Sequence, residues 1–203
     1  MKVVRGTVVF LTITAASFQM AVAQSGGPPP AIGAPKVIAE KIVTTLPSRP
    51  LFWSVQSFGT LEQAQRALGE YSLAAESDGK AWLFTLGPKA EPSTGSAAPV
   101  AEAGPITPPM ASRFMLRISE SVTPPGRVTP VHTHPGSEAF YVVKGEIEYK
   151  TTNGTYKVSA GNASSGPPPE TTMQATTTGT ERAHNLIMFI LDADKPAQAP
   201  SSF

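Results

Sequence analysis

"GRVTPVHTHPGSEAFYVVKG", Gly126 to Gly145, holds two of the three histidines in a chain of 203 residues and sets a glutamate four residues after the second. Side chains alternate across a β-strand, so His132 and His134 share a face, with Cα atoms about 6 to 7 Å apart. Pro135-Gly136-Ser137 permits a sharp reversal, after which Glu138 opens "EAFYVVKG" on the same face as Phe140 and Val142. Two neutral imidazoles and one carboxylate brought together across a hairpin make a two-His-one-carboxylate set. Such a set suits divalent first-row metals and leaves coordination positions open. The opposite face carries Ala139, Tyr141 and Val143, so this strand is apolar on both sides. It needs an outer cover, either the N-terminal strands or another subunit, which admits a homodimer.

Downstream of Met110 the chain reads almost entirely as strand: "RFMLRISES", "RVTPVHTH", "EAFYVVKG", "EIEYKTT", "TYKVSA", "TTMQATTT" and "AHNLIMFIL", with Asn153-Gly154 as a tight hairpin turn. Many short strands with Gly and Pro punctuation predict an all-β sandwich or barrel. Upstream, "KVIAEKIVTTL" and "LFWSVQSF" are β-rich, and "SLAAESDGKAWLFTLG" reads as two strands joined at Asp78-Gly79. One short helix interrupts them. Thr60 caps it, Gln63 completes a capping box, Leu61, Ala64 and Leu68 line one face, and Gly69 ends it.

The first residues combine a basic start, an apolar run and the small-x-small site Ala21-Val22-Ala23, the form of a secretory signal peptide over 1–23. Cleavage removes Lys2 and Arg5 from the 16 basic residues, leaving 14 against 15 acidic ones and a net charge of −1. A near-neutral chain with 15% charged residues has no basic stripe for phosphates, which argues against nucleic acid as a partner. No later apolar run is long enough to span a bilayer, so no membrane association is expected after cleavage. Location is then secreted or periplasmic. Cysteine is absent, so the exported chain must hold itself together by burying apolar surface. Proline-rich stretches divide the remainder into a leader (24–35), a β-rich extension (36–86), a linker (87–109), the barrel (110–195) and a tail (196–203). The linker composition is equally compatible with an ordered arm wrapping the barrel.

Gly126, five residues, His132-x-His134, three residues, Glu138, six residues and Gly145 resemble the first motif of the cupin superfamily at every fixed position. The resemblance covers the stretch from Met110 to Asp192 and implies a small antiparallel β-barrel of the jelly-roll kind, with a metal inside and a substrate entering through one open end. It implies His132, His134 and Glu138 as ligands of iron, manganese, zinc, nickel or copper. In the second cupin motif a histidine, the fourth ligand, follows a Pro-x-Gly turn. The corresponding stretch here, "GNASSGPPPETTMQATTTG" from Gly161 to Gly179, keeps the prolines and lacks the histidine. Aligning on Gly179 puts Met173 at the ligand position; sliding by one residue puts Thr172 there. Both, with Phe140, are candidates for a pocket wall.

Related proteins with all four ligands include dioxygenases, oxalate-degrading enzymes and isomerases, while degenerate sites occur among those that bind small molecules without turning them over. Two functions therefore stand side by side. One is an oxygenase- or isomerase-like metal enzyme acting on a small molecule; the other is a non-catalytic small-ligand-binding module. His184, in "ERAHNLIMFIL", lies well past the ligand position and is expected to support the site or face solvent.

Overall fold

A computed structural model describes residues 35–90 and 99–203. The signal segment and most of the leader lie outside those residues. In chain order the elements are β1 (Lys36–Val43), β2 (Leu51–Phe58), α1 (Leu61–Arg66), β3 (Ser72–Ser77), β4 (Lys80–Gly87) and β5 (Ala101–Ile106). They continue with β6 (Phe114–Thr123), β7 (His132–Thr133), β8 (Gly136–Lys144), β9 (Glu146–Thr151) and β10 (Gly154–Ser159). The last four are β11 (Ala163–Ser165), β12 (Met173–Thr178), β13 (Ala183–Asp192) and β14 (Ala199–Pro200). No helix among the described residues is long and apolar enough to cross a membrane.

The strands form three sheets with orders β1-β6-β13-β8-β11, β10-β9-β12-β7-β14 and β3-β4-β2-β5. The first two face each other as the walls of an antiparallel jelly-roll barrel, and the third packs on the outside of the first. Period-two alternation in β13 explains how one sheet serves two cores. Leu186, Met188 and Ile190 point outward to Trp53, Trp82 and Phe84. Ala183, Ile187, Phe189 and Leu191 point inward to Phe140, Ile147 and Met173. Strand β8 behaves the same way, with Ala139 and Tyr141 outside and Phe140 and Val142 inside. Its outer cover is therefore the N-terminal sheet, with Trp82 edge-on to Tyr141 at 5.6 Å between ring centroids.

The 36–86 stretch is not a separate unit, because β1 joins the barrel sheet antiparallel to β6. The stretch read as a linker carries β5, which pairs with β2 and buries Ala103 and Ile106. Composition misleads there because β5 is an edge strand, where the missing N–H of Pro105 costs no ladder bond. The tail likewise pairs with β7 through β14. Of "RVTPVHTH" only His132 and Thr133 form regular strand, since Pro130 and Pro135 flank them without donors.

The Asp78-Gly79 turn falls where expected, whereas the β9–β10 turn is Thr152-Asn153, one residue earlier than Asn153-Gly154, because Gly154 already pairs with Thr151. The Thr60–Gln63 capping box is closed in both directions. The helix stops at Arg66, however, and Leu68 is 46% exposed instead of lining the apolar face. Gly136 has no substitute, because a Cβ there would collide with the Ile190 carbonyl of the neighbouring strand.

Candidate functional site

His132 and His134 enter the barrel from β7 and the residue following it, and Glu138 enters from β8. All three are buried and line a cavity of about 330 Å³ between the barrel walls. The His132 Nδ1 lies 2.8 Å from the Pro130 carbonyl and the His134 Nδ1 lies 2.6 Å from the Ala197 carbonyl. A carbonyl only accepts, so each Nδ1 carries the proton and each Nε2 keeps its lone pair. The imidazole rings meet edge to face at 4.8 Å, and His134 also rests 5.0 Å from the ring of Phe189.

Burial sets the protonation of all three groups. It pushes His132 down, partly offset by the Pro130 hydrogen bond, and pushes His134 down to about 4. The same desolvation raises Glu138 to about 8. At neutral pH without a metal, both imidazoles and the carboxyl are therefore uncharged. Glu138 Oε1 has no hydrogen-bond partner among the described residues, and Oε2 stands 3.8 Å from His134 Nε2. Gly166 holds the acid in place: its N–H donates to the Glu138 carbonyl at 2.9 Å, and a Cβ would come within 2.7 Å of Glu138 Cγ.

As a donor set this suits a divalent first-row metal in kind: two imidazole lone pairs and a carboxyl with an orphaned oxygen. It is not drawn tight, because among the described residues no three His, Cys, Asp or Glu side chains close on one point. The fourth position is decided by register. Met173 on β12 sits opposite His132 on β7, is 2% exposed and lines the cavity. Thr172 is not a pocket residue; its hydroxyl turns away to Ser201, 2.8 Å distant. Phe140 is a wall, stacked on Tyr149 with centroids 3.9 Å apart.

Residues 119–186 match the sequence profile of the cupin domain family, which contains the whole His132-x-His134 to Glu138 motif. The barrel belongs to the cupin superfamily. Among solved structures this cupin is similar in fold to a DMSP lyase from Ruegeria pomeroyi, at 22% identity and a TM-score of 0.37 over 42% of this chain and 43% of that one. It is also similar to a cupin 2 domain-containing protein from Halorhodospira halophila, at 19% identity and a TM-score of 0.36 over 44% and 59% of the two chains. A third is an oxalate decarboxylase from Lactobacillus farciminis in a formate complex, at 22% identity and a TM-score of 0.35 over 43% and 26%. The matched region thus spans less than half of the lyase. No curated protein matches the chain.

Some site residues carry little sequence signal. The Ala197 carbonyl that orients His134 comes from the tail, 63 residues away. Asn185 and Tyr149 also line this cupin's cavity. The clue to Asn185 is a lone amide at an inward position of the apolar run "AHNLIMFIL". His184 neither reaches the cavity nor faces solvent. Its Nε2 lies 2.9 Å from both Ser77 Oγ and Glu120 Oε1, so it joins β3 to the barrel strands β6 and β13.

Proposed function

We propose that this is an exported small-molecule-binding cupin whose cavity takes a divalent metal at His132, His134 and Glu138. The observation that carries this is the buried, partnerless Glu138 Oε1 beside two imidazoles whose Nδ1–H groups are already spent on carbonyls. A bound metal would supply Lewis acidity toward a chelating oxygen group. The chain's own residues do the rest. The Pro130 and Ala197 carbonyls hold both rings with Nε2 available, Phe140 and Phe189 keep water away, and Glu138 gives up its proton as it becomes a ligand.

Turnover of the oxygenase or isomerase kind is the catalytic form of this reading. Capture without turnover is the second form, and Met173 in place of a fourth imidazole favours it. Purified without a histidine tag and reconstituted with iron, manganese, zinc or copper, the wild-type protein should retain metal, while His132→Ala and His134→Ala should each lose it and keep their β-sheet circular dichroism. Metal content unchanged in His134→Ala would move the site elsewhere. Less than about 0.1 metal per wild-type chain would leave only the metal-free form.

Export rests on the basic start, the apolar run and Ala21-Val22-Ala23. Intact mass of protein from its native host should begin at Gln24; a mass retaining Met1 to Ala23 overturns export.

A further inference from the structure

The cavity has a second polar end that the metal-ligand set does not use. Glu138 pairs with Phe189 across β8 and β13, and Asn185 lies four residues further along β13, opposite Val142. At about 3.3 Å per residue, the backbone positions of Asn185 and Phe189 are about 13 Å apart along the strand, and the ring of Tyr149, stacked on Phe140, lies between them. The inward side chains between them, Phe140 and Ile187, are apolar.

Asn185 is 2% exposed, and its Nδ2 donates to the Tyr149 hydroxyl at 2.8 Å. Its Oδ1 has no partner among the described residues, and both side chains line the cavity. Tyr149 accepts that bond with its oxygen, so its own hydroxyl hydrogen is uncommitted. One acceptor and one donor thus sit side by side in a buried wall whose nearest polar neighbours are small hydroxyls, Ser121 opposite Asn185 and Thr177 among them, and leaving the pair unsatisfied there is costly.

We propose that Asn185 and Tyr149 anchor the far end of the ligand through a neutral alcohol or phenol hydroxyl, on a mainly apolar molecule whose other end faces His132, His134 and Glu138. The proposal rests on reading the cavity as a small-molecule site. A hydroxyl both accepts and donates, and it satisfies the pair in either orientation of the Asn185 amide. A carboxylate is disfavoured because the guanidinium on the cavity wall, that of Arg117, is held 2.9 Å from Glu40. An ammonium at this end would meet neutral oxygens alone, because Glu138, the one acidic residue among the described residues that line the cavity, belongs to the other end.

The test is an NMR titration of the full chain with 4-ethylphenol and with 1-ethyl-4-methylbenzene, which has the same shape without the hydroxyl. Wild-type protein should bind the phenol about tenfold or more tightly than the hydrocarbon. The Asn185 side-chain amide resonances should shift with the phenol alone. Asn185→Leu should bring the two affinities within about twofold, by weakening the phenol while leaving the hydrocarbon unchanged. The wild-type comparison and the amide shifts need no variant, so they decide the matter even if Asn185→Leu folds poorly. Equal affinities in wild type, or a preference that survives in Asn185→Leu, overturn the anchor and leave the cavity reading standing. Binding of neither probe overturns both.

Discussion

Replacing Met173 by histidine should tighten divalent metal binding by about tenfold or more, since even changes outside the ligand set alter affinity by that much. Three observations place the new imidazole usefully. Met173 stands opposite His132 in the β12–β7 pair, it is 2% exposed, and it lines the same cavity as His134 and Glu138. The substitution exchanges a soft thioether for a nitrogen donor without asking the backbone to move. Competition against a chelating dye with manganese and with zinc would measure it. Thr172→His is the matched control and should change little, because Thr172 is turned toward Ser201. If Met173→His leaves affinity unmoved, β12 does not present its side chain to the metal-ligand set, and capture without turnover becomes the better reading.

Glu138→Gln should change how the metal-free protein responds to pH. Burial lifts the Glu138 carboxyl from 4.5 to about 8, so between those values the folded state binds a proton that the unfolded state has released. Stability must then fall as pH rises through this window. The histidines act in the opposite sense: burial lowers both from 6.5, so their cost appears as pH falls below that value. Above pH 6.5 they are neutral in both states, which leaves Glu138 alone between pH 6.5 and 8. Chemical denaturation across that interval should show wild-type stability declining with pH and Glu138→Gln flat. The two should differ by a few kcal/mol at the alkaline end, because each tenfold difference in proton affinity between the folded and unfolded states is worth about 1.4 kcal/mol. Metal binding should strengthen over the same interval, because loading the site displaces the same proton. A wild-type protein with no slope between pH 6.5 and 8 would mean that water reaches the carboxyl and keeps it ionised.

The two results bear on different links. Met173→His asks whether register puts the fourth position where the site can use it. Glu138→Gln asks whether the cavity is dry enough to hold an acid neutral. A positive outcome in both describes a site that is apolar and electrically silent when empty and gains its charge with the metal.

What the chain declares about itself is local. Two-residue parity alone puts His132 and His134 on one face and Glu138 with Phe140, and the Pro135-Gly136 reversal follows from turn chemistry. The hairpin at Asp78-Gly79, the presence of a β9–β10 hairpin to within one residue, the Thr60 cap and the two-faced apolar strands are legible for the same reason: each depends on residues within a few positions of one another. The cover over β8 had to exist, yet only packing shows that Trp53, Trp82 and Phe84 supply it. Register chose Met173 over Thr172, and edge position made a strand of the proline-bearing Ala101–Ile106. The carbonyl of Ala197 fixes the tautomer of His134, and Ser77 meets His184 across 107 residues. Nothing in the residue names foretells either contact: a backbone carbonyl is common to every amino acid, and pairings so distant in the chain are set by topology, which places two segments side by side only once all the sheets have formed.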